Sequence, residues 1–463
     1  MKVCAINLAN YEVEMKEKRA SFCLFLLGAF SMTQIHIIGN IGISELVIYF
    51  IAPKIFIDDY IVLKNDGFMP VIWLSILMCI GCVWSSIYNQ TAFPLFLRGF
   101  AAPYSIFSVL IIGHHLLRKS LGGYKWFCLG MAVTVTINIF VFQRGVEADI
   151  WGQGGRGLEA VEGIMNGPLF WVSRINAWAN VPIRGWYLQT PIIYSIVFPI
   201  FMFFFAAFTT ESGRSAAATS MGAALLVILG GKRIQKMKWL SKNFWLVCLI
   251  SLFSIQILTN VYKAAALKGL MGEKALKKYE HQMRGRKENV IGTLMGGRIE
   301  FFSGLYAASQ HPIVGYGPWA IDKYGYYDEF LAKYGTEDDY KDNLKMQEYF
   351  ARNGFGYFRL IGAHSHIIGS WLKYGFLGML FWLYVIFLIV QYFRKDLATV
   401  PQWFGLIAVS MPAFFWNVLF SPFGDRVWEG MLVVFILMAR AVRMGRVLLP
   451  PTMIEGIVKM RNK

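Results

Sequence analysis

The sequence predicts an all-α protein that crosses a membrane about eleven or twelve times and carries one large loop containing helices on the outer side. Composition is the first observation behind this prediction. Of the 463 residues, 56% are apolar and only 16% are charged, whereas a soluble domain carries about 25% charged residues. The second observation is a series of long apolar tracts. The third is the concentration of lysine and arginine in short links between those tracts.

Eleven apolar tracts are candidates for membrane-spanning helices. A helix needs about 20 mostly apolar residues to cross the hydrocarbon core, and a backbone segment in hydrocarbon must be helical because no water is present to satisfy its polar groups. The first tract is predicted to be an uncleaved span, since Thr33, Gln34 and His36 occupy the place of a signal-peptide cleavage site. The tracts lie near residues 20–39, 42–57, 68–87, 99–117, 124–142, 189–208, 215–231, 244–262, 366–392, 402–420 and 427–442.

Lysine and arginine residues predict how these spans are oriented. Basic residues crowd residues 232–242, 394–395 and 440–446, and such clusters mark the cytoplasmic side of a membrane protein. We therefore interpret the net charge of +17 as a sign of topology, and nucleic acid is not expected as a partner. The clusters place both termini in the cytoplasm and residues 263–365 outside.

The number of crossings in the first half of the chain depends on residues 143–189. Arg118, Lys119 and Lys125 predict a cytoplasmic link, which puts residue 143 outside, but the basic clusters that follow require residue 189 inside. Either residues 168–186 cross the membrane in spite of Arg174 and Arg184, or one of the first two tracts re-enters on the same side. Both solutions stay open at eleven or twelve spans.

The chain divides into three predicted parts. Residues 1–262 form an N-terminal set of transmembrane helices, residues 263–365 form the outer loop, and residues 366–463 form the C-terminal helices with a cytoplasmic tail. The loop has 103 residues, with 15 basic and 12 acidic residues in near balance. Connections usually span about 4 to 6 residues, so a loop of this length indicates a function.

Two histidines end the loop, and they are candidates for proton transfer. His364 and His366 stand where the loop meets the next apolar tract, and imidazole near its ordinary pKa can accept a proton from a hydroxyl. A hydrogen-bonded histidine at the membrane interface is one alternative. A metal pair is another, but no acidic residue at ligand spacing supports it, and we predict no metal.

Two arginines are candidates for binding a phosphate group. Arg214 begins a tract rich in small residues, and Arg298 precedes an apolar-faced helix in the outer loop. A guanidinium group presents paired N–H donors that match the oxygens of a phosphate. The alternative is that Arg214 extends to the membrane surface only to keep its charge in water. The chain has no G-x-x-x-x-G-K-[ST] pattern, so no nucleotide site is predicted.

Three segments, in this order along the chain, resemble the bacterial O-antigen ligase and O-antigen polymerase superfamily. SGRSAAATSMGAALL at 212–226 resembles the arginine-containing start of a span, with Arg214 at the family's arginine. GGRIEFFSGLYAASQHPIVGYGP at 296–318 is similar to the family's loop helix and its Pro-x-x-Gly-x-Gly turn, and AHSHIIGSWLKYGFLGML at 363–380 resembles its histidine helix, with Gly375 eleven residues after His364. Ser365 stands where the family usually has asparagine, and His366 therefore remains a rival for the catalytic position.

The resemblance implies a membrane glycosyltransferase of polysaccharide biosynthesis in the bacterial inner membrane, with its active site on the periplasmic side. The donor is an undecaprenyl-pyrophosphate-linked oligosaccharide, and transfer inverts the anomeric carbon without a metal or cofactor. His364 or His366 is the catalytic base, while Arg214 and Arg298 bind the pyrophosphate. The acceptor is another lipid-linked unit in a polymerase, which we favour, or lipid A core or a protein hydroxyl in a ligase. A chain-length regulator or flippase is a possible partner, and a non-catalytic glycan transporter is the remaining alternative.

Overall fold

The structure is a computed structural model that describes about two thirds of the chain. The described residues are 2–31, 34–36, 40–140, 226, 229, 234–269, 276, 279–280, 283, 292, 295–296, 298–337, 344, 360–421, 423 and 426–447. Residues 141–225 lie outside them. This range includes Arg214 and residues 143–189, on which the predicted number of crossings depends. The described part is almost entirely helical.

The described part of the first half contains six α-helices and a short hairpin. In chain order the elements are α1 (Lys2–Ser31), β1 (Gln34–His36), β2 (Asn40–Gly42), α2 (Ile43–Asp58), α3 (Tyr60–Asp66), α4 (Met69–Tyr88), α5 (Phe93–Lys119) and α6 (Tyr124–Phe140). β1 and β2 pair antiparallel, with Ile35 opposite Ile41. The predicted first tract, 20–39, is thus helical only to Ser31 and continues into the hairpin.

The remaining described helices are shorter on average, and two of them lie entirely within residues 263–365. They are α7 (Ile234–Lys242), α8 (Phe244–Leu267), α9 (Ile299–Gln310), α10 (Tyr326–Tyr334), α11 (His366–Tyr374), α12 (Phe376–Gln391), α13 (Phe404–Phe420) and α14 (Arg426–Arg443). Nine of the eleven predicted tracts coincide with helices, wholly or in large part. The tract 189–208 and most of 215–231 lie outside the described residues.

Three of the described helices are long and apolar enough to cross a membrane. They span Met69–Tyr88, Phe93–Lys119 and Phe376–Asp396, and a bent pair, Pro401–Ala408 and Ser410–Phe420, makes a fourth candidate. The bend of 44° lies just before Pro412, which has no N–H to bond the carbonyl four residues earlier and whose ring clashes with it. The protein is therefore a helical membrane protein.

Glycines allow close helix packing in this bundle. A Cβ at Gly28 of α1 would lie 2.2 Å from the carbonyl oxygen of Phe127, and one at Gly130 of α6 would lie 2.1 Å from that of Phe25. Small residues let membrane helices approach in this way. The buried core lies between these helices and α4, α5, α12, α13 and α14, with α14 buried along nearly its whole length.

Basic side chains gather at one end of the bundle. Nε of Arg118 lies 3.0 Å from Asp66 Oδ2, and Nε of Arg443 lies 2.5 Å from Asp396 Oδ1. The hydroxyl of Ser241 in basic helix α7 donates to the carbonyl of Phe393, beside Arg394 and Lys395. The three basic clusters of the sequence thus meet at the same end, which we call the basic end.

The segment after α9 packs on the opposite end of the bundle. The side-chain amide of Asn89, after α4, donates to the carbonyl of Gly315, and the indole N–H of Trp319 donates to the carbonyl of Leu95 at the start of α5. Pro318 fills the space that a Cβ would need at Gly99. Arg118 and Lys119 end α5, and Arg118 pairs with Asp66, next to Gly67, where an added Cβ would lie 3.2 Å from Nη1 of Arg446. This end of α5 therefore lies at the basic end, and the contacts near its start place residues 315–319 at the far end.

Candidate functional site

Ser365 caps helix α11 and thereby separates the two predicted histidines. Its hydroxyl oxygen accepts a hydrogen bond from the backbone N–H of Ile368 and donates to the carbonyl of Val418 in α13. Serine is a strong N-cap residue, so Ser365 fits the position that it occupies. His364 precedes the cap in extended chain, whereas His366 is the first helical residue.

The structure places His364 next to an acidic residue, Glu300, that follows Arg298 by two positions. Nδ1 of His364 lies 3.6 Å from Oε2 of Glu300, and both side chains are about a third exposed. Arg298 occupies the N-cap position of α9, two residues before Glu300, and its charge acts on the imidazole. The guanidinium carbon of Arg298 lies 5.5 Å from the ring centroid of Trp416. We call Arg298, Glu300 and His364 the charged cluster.

Local sequence explains why α9 presents these charges at its start. A carboxylate in the first turn of a helix is stabilised by the helix dipole, and Glu300 lies in that turn. Gly304 allows α9 to lie close to the extended chain before α11, since a Cβ there would approach the carbonyl oxygen of Gly362 to 3.0 Å. Phe301 packs on Phe420 with ring centroids 5.6 Å apart. These contacts fix Glu300 beside His364.

The environment of His364 favours a neutral imidazole. Burial lowers the pKa of His364 below its ordinary value, and the charge of Arg298 lowers it further, while the carboxylate of Glu300 raises it. Burial outweighs the effect of Glu300, so the net pKa shift is downward. A neutral imidazole can accept a proton, and Nδ1 is the ring nitrogen that faces Glu300.

His366 lies in a different environment from His364. Its side chain is fully buried, with Nε2 3.4 Å from Oε1 of Glu429, which is also buried. The imidazole ring packs against Trp382 and Phe423, with centroids 4.9 Å and 5.3 Å away. His366 therefore faces the inside of the bundle, and the structure separates it from the charged cluster.

The glycine turn at residues 312–317 contacts the break between α11 and α12 directly. The backbone N–H of Tyr316 donates to the carbonyl of Leu372, that of Phe376 donates to the carbonyl of Ile313, and the indole of Trp371 donates to the carbonyl of Pro312. Gly375 stands at the break with a φ of 69°. The tract predicted at 366–392 is consequently two helices rather than one.

Sequence reasoning missed Glu300 and Glu429. Glu300 lies in the quoted segment GGRIEFF, where its position two residues after Arg298 on the first turn of a predicted helix was a usable signal. Glu429 lies at the start of the last apolar tract, where an acidic residue inside an apolar tract is usually functional or paired. Arg214, the other predicted phosphate ligand, is not among the described residues.

The fold and the charged cluster define a helical membrane protein with an acid–base group at the end of the bundle opposite the basic end. Among the described residues, no three histidine, cysteine or acidic side chains lie close enough together to hold a metal ion. Comparison with family models, with curated proteins and with solved structures finds no match to this chain.

Proposed function

We propose that the protein is a membrane glycosyltransferase that moves an oligosaccharide from undecaprenyl pyrophosphate to an acceptor hydroxyl. The observation that carries this proposal is the position of His364, partly exposed, with Nδ1 3.6 Å from Oε2 of Glu300, which follows Arg298 by two positions. The resemblance of residues 212–226, 296–318 and 363–380 to the O-antigen polymerase and ligase superfamily supplies the substrate class.

In the proposed reaction His364 is the general base. The acceptor hydroxyl gives its proton to Nε2 of His364 as its oxygen bonds to the anomeric carbon. The bond from that carbon to the pyrophosphate breaks, and its electron pair leaves with the undecaprenyl pyrophosphate. Glu300 stabilises the imidazolium that forms, and Arg298 stabilises the charge that develops on the leaving group. Attack opposite the leaving group gives inversion.

Arg214 is proposed as the second arginine of the pyrophosphate site. One guanidinium group binds two phosphate oxygens, so a pyrophosphate can use two such groups. Together with Arg298 it would hold the donor so that the anomeric carbon faces His364. Removal of metal ions is not expected to reduce transfer, because the arginines supply the positive charge that a metal ion would otherwise supply.

The proposed setting is the bacterial inner membrane, crossed by eleven or twelve helices, with the charged cluster on the periplasmic side. Two observations support this orientation. Basic side chains meet at one end of the bundle, as on a cytoplasmic face, and the outer segment packs on the other end. A polymerase, with a second lipid-linked unit as acceptor, is the form that we favour over a ligase. A chain-length regulator or a flippase is the proposed protein partner.

The test is transfer by purified full-length protein in liposomes that contain the lipid-linked oligosaccharide of the source cells. Released undecaprenyl pyrophosphate and product length are measured together. His364→Ala should lower the transfer rate by about 10²- to 10⁴-fold, the usual contribution of a general base, with little change in melting temperature because the side chain is partly exposed.

His366→Ala is the matched control in the same assay. It removes a fully buried ring from between Trp382 and Glu429, so it should lower the melting temperature, while the protein that stays folded keeps its transfer rate. The assignment of the base is wrong if His366→Ala abolishes transfer in folded protein and His364→Ala does not. A wild-type protein that releases no undecaprenyl pyrophosphate with any acceptor contradicts the whole proposal.

A further inference from the structure

A compact aromatic cluster lies at the far end of helix α9 from the charged cluster. His311 stacks on Tyr324, with ring centroids 4.6 Å apart and ring planes 21° apart, and Tyr326 lies 5.8 Å from His311 and 5.7 Å from Tyr324. Tyr316 is buried beneath, 5.2 Å from His311. Tyr324 is 52% exposed. We call His311, Tyr324 and Tyr326 the aromatic platform.

Hydrogen bonds hold the platform in one conformation. The carboxylate of Asp322, which is 8% exposed, accepts the backbone N–H groups of all four residues from 324 to 327. Gly325 turns the chain with a φ of 76°. The hydroxyl of the buried Tyr316 donates to the carbonyl of Ala307 in α9. The rings are therefore ordered before any ligand arrives, which reduces the entropy lost on binding.

Polar groups stand at the edge of the platform. The hydroxyl of Tyr306, one turn before His311 on α9, donates to Oε1 of Glu329 over 2.6 Å, and this pair is exposed. Burial lowers the pKa of His311, which favours the neutral form of the stacked imidazole. Flat neutral rings beside a carboxylate and a hydroxyl match a ligand that has both apolar faces and many hydroxyl groups.

We propose that the aromatic platform binds the carbohydrate chain of a lipid-linked substrate, several sugars away from the reacting carbon. This inference rests on the proposed function and names a second contact for the same glycan. Helix α9 connects the two places, since Arg298 precedes its first residue and His311 follows its last. Its twelve residues correspond to about 18 Å at 1.5 Å per residue. A substrate that contacts both places must therefore be an extended chain rather than a single sugar.

The competing interpretation is that these tyrosines anchor the protein at the membrane interface, where tyrosine and tryptophan are enriched. The sequence around the platform argues against it. Residues 322–329 read DKYGYYDE, so four of these eight residues are charged, and Glu329 is exposed among them. Headgroup burial of this surface would remove exposed charges such as the carboxylate of Glu329 from water at a cost, whereas a glycan would hydrogen-bond to that carboxylate.

The test measures binding without catalysis. Wild-type full-length protein in nanodiscs is titrated with the water-soluble oligosaccharide that mild acid releases from the lipid-linked pool of the source cells. Saturation-transfer NMR detects contact between aromatic ring protons and sugar protons. Tyr324→Ala should weaken binding at least tenfold, and Tyr324→Phe should retain it, because the ring and not the hydroxyl makes the contact.

Tyr334→Ala is the matched control, since Tyr334 is 47% exposed at the end of α10 but packs on Phe330 outside the platform. It should leave binding unchanged. Equal weakening by Tyr324→Ala and Tyr334→Ala, or no binding to the wild type, would overturn the inference. Binding through the platform by a protein that shows no transfer would instead remove the proposed function and keep the glycan site.

Discussion

At the scale of single residues, one helix cap decides the environments of His364 and His366. They are two positions apart, and each fitted the role of base in the sequence. Ser365 ends the extended chain and begins α11 between them, so one imidazole meets Glu300 and the other enters the bundle beside Glu429. The sequence predicted the pair of histidines, but choosing between them required Glu300, which is 64 residues away along the chain.

The charges around His364 predict the pH dependence of transfer. The rate should fall at acid pH as His364 gains a proton, and the midpoint should lie below 6.5 because burial lowers the pKa of this group. Glu300→Gln removes the charge that raises the pKa and should move the midpoint to lower pH. Arg298→Gln removes a charge that lowers the pKa and should move it to higher pH. The pH profile of kcat/KM checks both shifts.

Glu337→Gln serves as the control for this pair of variants, because it removes an exposed carboxylate from the same part of the chain, residues 263–365, and should leave the acid midpoint in place. Midpoints that move in the same direction in Glu300→Gln and Arg298→Gln would show that another group controls the rate. An unchanged midpoint in both would do the same.

At the scale of elements, the contact between the glycine turn and the α11–α12 break joins two segments that the sequence presented separately. The turn from Pro312 to Gly317 and the helix start at His364 were both predicted as motifs. Their contact was not, because hydrogen bonds such as that from Tyr316 to Leu372 depend on tertiary packing. Hydropathy alone also joined α11 and α12 into one tract, since both sides of Gly375 are apolar.

Gly375→Ala should disrupt this contact. A Cβ at this position would lie 2.0 Å from the carbonyl oxygen of Ile313, and a backbone atom there cannot move aside as a flexible side chain can. The left-handed backbone adds a strain of about 1–3 kcal/mol. We expect a lower melting temperature and loss of transfer, measured on purified protein, because the turn positions α9 and with it Glu300.

Gly445→Ala separates the steric effect from the backbone strain. Gly445 also has a left-handed φ, 66°, but a Cβ there would meet nothing within 4 Å. This variant should lose only the conformational term, roughly 1–2 kcal/mol, and should keep its transfer rate. Equal losses of stability in the two variants would contradict the docking of the turn on Gly375.

At the scale of the whole molecule, the two ends of the helix bundle differ in charge. Composition and apolar tracts predicted the helical membrane class, and the basic clusters at 232–242, 394–395 and 440–446 predicted their common location, which the structure shows as a shared basic end. Predicted boundaries differ where packing decides them, as at Ser31 and Gly375. The charged cluster could be predicted only in part, because Arg298 and His364 meet through tertiary contacts of α9.

The most direct test of the account is the side of the membrane on which the charged cluster lies. In a variant without the six native cysteines, single cysteines are placed by Glu300→Cys in the cluster, Glu337→Cys in the outer segment and Lys119→Cys at the basic end. The reagent is a maleimide that cannot cross the membrane of spheroplasts. The account predicts that residues 300 and 337 are labelled in intact spheroplasts and residue 119 only after permeabilisation. Labelling of residue 119 in intact spheroplasts, with residue 300 protected until permeabilisation, would contradict it.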